Sequence, residues 1–167
     1  FSCDRLFCVG DLIDRGPDSA KILAMLDEPW FYSLLGNHEY FMLSGLKYKN
    51  SKHKMLWLQH GGEWIASSNP ALWPDWFEKL ANLPIAMQLE GQDGKVYGLL
   101  HADFPSNNWA HYADFTQEEL ETCLWSRRNY SNRSDHTVSG IDYLVHGHNS
   151  TGHVVDGKSA ALVLGNR

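Results

Sequence analysis

The chain has 167 residues, of which 43% are hydrophobic, and a formal net charge of −6. This composition suffices for the core of one domain over residues 1–167, and the negative charge argues against a sequence-independent grip on nucleic acid. No apolar run approaches the ~20 residues of a membrane span, so we expect no membrane partner. The three cysteines form no CxxC pair, which favours reduced thiols and a cytoplasmic location.

The first polar cluster follows an apolar run at residues 6–9 that has strand character. Asp11, Asp14 and Arg15 come directly after it, and Gly16-Pro17 predicts a turn. A carboxylate that leaves a buried strand needs an ion partner or a metal. The alternative is a polar turn in which Asp14 and Arg15 pair only with each other.

A second polar cluster follows the next predicted strand. The sequence predicts a short amphipathic helix at 19–26, a buried strand at 30–35, the polar run Gly36-Asn37-His38-Glu39 and a helix at 39–46. A right-handed βαβ unit would place the carboxyl ends of its two strands side by side. Asp11 and Asn37 are therefore expected at the same sheet edge.

The segment 47–83 is predicted to be a mostly helical, tryptophan-rich flank, broken at Gly61-Gly62, with Pro74 near a helix start. We expect its aromatic side chains to form core rather than a binding platform.

Two further polar clusters follow strands in the second half. Strands are predicted at 84–89 and 95–100, joined by an Asp-Gly hairpin. A helix with a capping box is predicted at 117–124, followed by a polar loop at 129–139. Three more strands are predicted at 143–145, 154–155 and 160–164, the last two around a turn at 156–157. His101 and Asp103 follow one strand, and His146 and His148 follow another.

The four strand ends supply Asp11, Asn37, His101 and one of His146 or His148. Carboxylate, amide oxygen and imidazole together suit Mn²⁺, iron or Zn²⁺, whereas Mg²⁺ or Ca²⁺ would favour oxygen ligands alone. Each residue alone also fits a structural role. Four such clusters at strand ends favour a metal site.

The motifs in these clusters resemble those of the PPP-type metallophosphatases. Residues 10–16 match GDxxDRG, residues 36–39 match GNHE, residues 101–103 match HAD, residues 147–148 match GH, and residues 125–127 match a Trp-x-Arg segment. The small bacterial and bacteriophage serine/threonine protein phosphatases are the most similar group. The resemblance implies an α/β calcineurin-like metallophosphoesterase sandwich, with mixed β-sheets flanked by helices.

The resemblance also implies a role for each matched residue. Two divalent metal ions are expected, most often Mn, with Fe or Zn as alternatives, and a hydroxide between them would attack phosphorus directly. The implied metal ligands are Asp11, which would bridge the ions, with Asn37, His101 and His148 on the second ion. The implied phosphate-binding residues are Arg15, Arg127 and Asn37, while His38 would protonate the leaving group and Asp14 would orient His38.

The implied substrate is a phosphoprotein or phosphopeptide carrying phosphoserine, phosphothreonine or phosphotyrosine, and no obligate protein partner is expected. The family's GDxHG motif and its terminal strand are not found in these residues. We therefore expect a segment of a longer enzyme that acts poorly alone; a noncatalytic metal-binding or interaction module is the alternative.

Leu35 stands where the bacterial phosphatases commonly carry a basic residue. It resembles the corresponding position of the symmetrical dinucleoside tetraphosphate hydrolases, which gives a second candidate activity. That group tends to lack the equivalent of Asp14, and Glu39 also differs from its motif. Of the remaining polar residues, we expect structural roles for Asp103 and His146, with a metal role for His146 left open, and a solvated Arg128.

Overall fold

The computed structural model describes residues 4–132, 137–150, 152, 154–155 and 158–159. The fold divides into two compact units, the first ending at Pro84 and the second beginning at Ile85. The expectation of one domain over residues 1–167 stays a prediction. Among the described residues, no helix has the length and hydrophobicity that a membrane crossing needs.

A βαβ unit begins the first unit, as predicted. It comprises strand β1 (Leu6–Cys8), helix α1 (Ser19–Ala24) and strand β2 (Phe31–Ser33). The two strands are parallel, with Leu6 opposite Phe31 and Cys8 opposite Ser33. All three elements are shorter than predicted, and a tighter 3₁₀ turn at 25–27 replaces the end of the predicted helix. The carboxyl ends of β1 and β2 therefore lie side by side.

Helix α2 (Asn37–Met42) follows β2 and continues into a wider π-helical turn over Leu43–Lys47. The predicted start at Glu39 was wrong, because the helix begins at Asn37. Glu39 is instead the third helical residue, and its carboxylate accepts a hydrogen bond of 2.9 Å from the backbone N–H of Gly36. This bond satisfies a donor that the helix itself leaves without a partner.

The predicted helical flank is confirmed. It contains helices α3 (Ser51–Gln59) and α4 (Trp73–Ala81), with two short 3₁₀ segments between them. Gly61 breaks the flank with a φ of 113°, and Pro74 is the second residue of α4. Trp57 and Trp76 are buried in the core, as predicted, whereas Trp64 and Trp73 are only half-buried.

The second unit is built on a mixed three-stranded sheet. Strands β3 (Ala86–Glu90) and β4 (Val96–Leu100) form the predicted antiparallel hairpin, and β5 (Tyr143–His146) runs parallel to β4. Leu100 lies opposite His146, so the ends of β4 and β5 are adjacent. The predicted α/β class, with parallel and mixed sheets flanked by helices, is thereby confirmed.

Helix α5 (Gln117–Trp125) carries the predicted capping box, since the backbone N–H of Glu119 donates to Thr116 Oγ1 and the Glu119 carboxylate accepts from the Thr116 N–H. The predicted loop at 129–139 was wrong at its start, where helix α6 (Arg128–Asn132) forms. Strands β6 (Val154–Val155) and β7 (Lys158–Ser159) are antiparallel. The turn predicted at 156–157 and the strand predicted at 160–164 lie outside the described residues.

We expect Gly62→Ala to destabilise the protein by about 1–3 kcal/mol, the usual cost of overpacking. A β-carbon at Gly62 would lie 2.5 Å from ring atoms of the buried Trp57. The free energy of unfolding in urea measures the effect. Gly16→Ala is the control, because its β-carbon would meet only the Asp14 carbonyl at 3.8 Å. Equal destabilisation by both variants would contradict the expectation.

Candidate active site

The loop after β1 has an unusual backbone. Gly10, Asp11, Asp14 and Arg15 all have positive φ, at 89°, 55°, 76° and 57°. For residues with a β-carbon this left-handed conformation is costly, and it persists only where surrounding contacts enforce it. The loop that carries the first predicted site residues is therefore shaped by contacts from elsewhere in the fold.

Glu39 provides the main contact. One carboxylate oxygen accepts from the N–H groups of Leu12 and Ile13 at 2.7 and 3.2 Å, and the other accepts from Asp11 and Gly36, both at 2.9 Å. Burial and the charge of Asp11 raise the pKa of Glu39 to about 7, although the backbone donors stabilise its charged form. The sequence analysis assigned no role to Glu39. Its spacing from Gly36, which is that of a capping box, was the available signal.

Asp11 and the start of α2 lie at the same sheet edge, as predicted. The N–H of His38 donates to Asp11 Oδ1 at 3.3 Å. Asp11 is exposed, whereas Asn37 is buried. Gly36 makes this approach possible, because a β-carbon there would lie 2.3 Å from the Asp11 nitrogen.

His38 and Asp14 form a buried pair. His38 Nδ1 lies 2.5 Å from Asp14 Oδ2, and the two side chains are 7% and 0% exposed. Burial disfavours the imidazolium, but the hydrogen bond to Asp14 and the charges of Asp11 and Asp14 outweigh it, so the pKa of His38 is raised. Arg15 is exposed, and its Nε donates to the carbonyl of His60 at 3.2 Å.

Two tryptophans of the flank also reach Asp14. Trp57 Nε1 donates to Asp14 Oδ2 at 2.7 Å, and Trp64 Nε1 donates to Asp14 Oδ1 at 2.6 Å. The sequence analysis placed these tryptophans in the core without a polar role. Their partner lies 43 and 50 residues away in the chain, and no local pattern indicates such a contact.

In the second unit, His101 and His148 lie together at the ends of β4 and β5. His101 Nε2 is 3.0 Å from His148 Nδ1, and the ring planes meet at 69°. The Gly147 N–H donates to the His101 carbonyl at 3.0 Å, and His148 has a φ of 59°. Two ring nitrogens at this spacing can both reach one cation, because a metal–nitrogen bond is about 2.1 Å long.

Asp103 follows His101 by two residues, and Arg127 lies near His148 in space through its contact with Asn149. Asp103 is buried, and its Oδ2 accepts from the Ser126 hydroxyl at 2.5 Å and from the Asn129 N–H at 3.2 Å. The exposed Arg127 donates from Nη1 to Asn149 Oδ1 at 3.1 Å, next to His148. His146 is exposed at the end of β5. The second unit therefore brings His101, His148 and Arg127 into one region.

Carboxylate, amide and imidazole groups follow these strands, and these donor types suit divalent transition metals. Within the first unit, the structure brings Asp11, Asp14, Asn37 and His38 together. Within the second, it brings together the two predicted histidine ligands. Each half carries the donor types that the sequence analysis singled out.

Comparison with known proteins identifies the family. The model of the calcineurin-like phosphoesterases matches residues 2–152. Serine/threonine-protein phosphatase 2 of Escherichia coli (strain K12) is 30% identical over 148 residues, which cover 87% of this chain and 66% of that protein. Serine/threonine-protein phosphatase 1 of Salmonella typhimurium (strain LT2) is 34% identical over 148 residues, which cover 87% of this chain and 65% of that protein.

The chain spans slightly less than two thirds of the length of these curated relatives. The family match, by contrast, extends over nearly all of the chain and includes every predicted site residue. Members of this family use divalent metals, in agreement with the donor set described above. The chain therefore belongs to the calcineurin-like phosphoesterase family.

Proposed function

We propose that this protein is a metal-dependent phosphoprotein phosphatase. Its substrates would be phosphoserine and phosphothreonine monoesters, with phosphotyrosine as a secondary substrate. The similarity to bacterial serine/threonine-protein phosphatases 1 and 2 supports this class of substrate. The proposed setting is a bacterial cytoplasm, and the proposal requires no nucleic acid, membrane or obligate protein partner.

The buried His38–Asp14 pair is the observation that carries the proposal. Hydrolysis of a serine or threonine phosphate releases an alkoxide, which is a poor leaving group unless it is protonated as the bond breaks. His38 would supply that proton, since the hydrogen bond to Asp14 and the charges of Asp11 and Asp14 raise the pKa of its imidazole and favour the imidazolium. Asp14 holds Nδ1 at 2.5 Å, so Nε2 is the nitrogen that would deliver the proton.

Asp11, Asn37, His101 and His148 would hold the divalent metals, with Mn²⁺ the best match and iron or Zn²⁺ as alternatives. When bound, these cations would supply a nucleophile from water near neutral pH and offset the charge of the phosphoryl oxygens. The 3.0 Å separation of the His101 and His148 ring nitrogens supports their assignment as ligands. Asp11 supports the assignment through its exposed carboxylate at the end of β1.

Arg15, Arg127 and Asn37 would bind the phosphoryl oxygens. Both arginines are exposed, and each is positioned by one hydrogen bond, to the His60 carbonyl and to Asn149 respectively. A guanidinium offers a planar pair of donors that matches two phosphoryl oxygens. Substrate recognition in this proposal is centred on the phosphate itself.

Hydrolysis of symmetrical dinucleoside tetraphosphates is the second candidate. Leu35 favours it, because a buried apolar residue stands where the bacterial phosphatases commonly carry a basic one. The His38–Asp14 pair favours phosphate monoesters, because the nucleotide leaving group of a dinucleoside polyphosphate needs less proton donation than an alkoxide. A direct comparison of substrates separates the two.

We expect Mn²⁺-dependent release of phosphate from a phosphoserine peptide, lost on chelation of the metal. Asp11→Asn should lower kcat/KM by about 100-fold or more, since even outer partners of metal ligands contribute about 10- to 100-fold. Asp18→Asn, at an exposed aspartate paired with Lys21, is the matched control. The measurement is phosphate release at fixed Mn²⁺. Turnover of dinucleoside tetraphosphate alone would favour the second candidate.

We expect Arg127→Lys to raise KM for the phosphopeptide about tenfold, because an ammonium cannot reproduce two parallel hydrogen bonds to a phosphoryl group. Steady-state kinetics of the full-length protein measures this change. Arg128→Lys is the control, since Arg128 is the exposed neighbour that begins α6. A larger effect at Arg128 than at Arg127 would reverse the assignment of the phosphate-binding arginine.

A further inference from the structure

The tryptophan-rich flank reaches into the candidate active site. We propose that Trp57 and Trp64 are positioning residues that fix the Asp14 carboxylate so that it aligns His38 for proton donation to a poor leaving group. This inference rests on the proposed phosphatase function and assigns part of its substrate preference to the flank. The two indoles would thereby favour alkyl phosphate esters.

The contacts to Asp14 account for both of its oxygens. Oδ2 accepts from Trp57 Nε1 at 2.7 Å and faces His38 Nδ1 at 2.5 Å, while Oδ1 accepts from Trp64 Nε1 at 2.6 Å. The backbone N–H of Asp14 donates to the Ser19 hydroxyl at 3.0 Å. A carboxylate held at both oxygens cannot rotate away from His38 without breaking a hydrogen bond from one of the two indole N–H groups.

The turn between the two tryptophans brings both indoles to Asp14. Gly61 has a φ of 113°, and a β-carbon there would approach Asp14 Cβ to 3.2 Å. Gly62 lies against Trp57, whose ring would be 2.5 Å from an added β-carbon. The Trp57 and Trp64 rings meet at 87° with centroids 6.3 Å apart. The two-glycine turn therefore lets the end of α3 and the following 3₁₀ segment converge on one carboxylate.

Indole donors suit this task for a physical reason. An indole has one N–H and no acceptor, so each ring can occupy only one carboxylate oxygen. Being neutral, it stabilises a buried anion without the counter-charge that a lysine or arginine would bring. A cation at the same place would compete with the His38 imidazolium for Asp14. Two neutral donors leave His38 as the charged partner of the pair.

The chemical consequence concerns the leaving group. As water oxygen bonds to phosphorus, the ester P–O bond breaks and its electron pair remains on the departing oxygen. That oxygen takes the proton from His38 Nε2, and Asp14 stabilises the imidazolium until the proton leaves. One proton of the water stays on the phosphate product, and the other passes to solvent, from which His38 is later reprotonated. Alkyl esters depend on this proton far more than nitrophenyl esters do. If Asp14 is held less firmly, hydrolysis of alkyl phosphate esters should therefore slow more than hydrolysis of nitrophenyl phosphate.

The experiment compares Trp57→Phe, Trp64→Phe and the double variant in the full-length, Mn²⁺-loaded protein. Each phenylalanine keeps an apolar ring and removes the N–H donor. The substrates are a phosphoserine peptide and p-nitrophenyl phosphate, whose leaving group needs little protonation. Trp73→Phe is the matched control, because its indole lies in the same flank and donates to Ser68 Oγ at 2.9 Å.

We expect kcat on the phosphopeptide to fall about tenfold in each single variant and further in the double variant. This loss is smaller than the whole contribution of general acid catalysis, which is about 10²- to 10⁴-fold. On p-nitrophenyl phosphate kcat should change less than about twofold, and Trp73→Phe should affect neither substrate. Equal losses on both substrates would mean a merely structural role and would overturn the inference. Full activity of the double variant on the peptide would overturn it too.

A spectroscopic readout separates failure of this inference from failure of the proposed function. In Asp14→Asn, the indole N–H resonances of Trp57 and Trp64 should shift, whereas that of Trp73 should not. Unchanged resonances would overturn the contact itself. A wild-type protein that hydrolyses neither substrate would overturn the phosphatase proposal, and with it the role given to the tryptophans, even if the resonances shift as expected.

Discussion

The carboxylate of Glu39 ties the loop after β1 to the start of α2, and the first half of the candidate site depends on this tie. Its four backbone hydrogen bonds lie between 2.7 and 3.2 Å, and three of them come from Asp11, Leu12 and Ile13. Without such an anchor, a backbone with repeated positive φ would relax toward ordinary conformations. The position of Asp11 and the pairing of Asp14 with His38 both follow from this constraint.

Burial of Glu39 carries an electrostatic cost that the site itself can offset. Its pKa is raised to about 7 by burial and by Asp11, so its ionised form is disfavoured beside another anion. If Asp11 binds a divalent cation, as proposed above, that cation would counter the negative charge and favour the ionised form of Glu39. Metal binding and the shape of the loop would then support each other through one carboxylate.

Much of the fold could be predicted from sequence, because the apolar runs before Gly10, Gly36 and His101 indicate strands with little ambiguity. The parallel pairing of β1 with β2 and the hairpin before His101 followed from the same runs. Two features could not be predicted from sequence: the start of α2 at Asn37 and the helix at 128–132. In each case the local sequence, a glycine or a polar run, is typical of a loop. Glu39 overrides that local signal at α2.

The candidate site was predictable to the extent that its motifs are contiguous. Asp11, Asn37, His38, His101 and His148 each follow closely on an apolar run, where polar residues are conspicuous. The indole contacts of Trp57 and Trp64 were not predictable, because burial alone explains a tryptophan and the partner carboxylate is distant in the chain. Only the folded chain shows that these rings also carry hydrogen bonds.

The left-handed backbone of Asp11, Asp14 and Arg15 restricts which sequences this loop can accept during evolution. β-Branched side chains clash in that conformation, whereas glycine, asparagine and aspartate tolerate it best. The two aspartates therefore meet a steric requirement as well as a chemical one. Substitutions accepted at these positions would mostly be asparagine or glycine, which preserve the backbone conformation of the loop but remove its negative charge. A descendant that lost these two carboxylates could keep the backbone conformation of the loop.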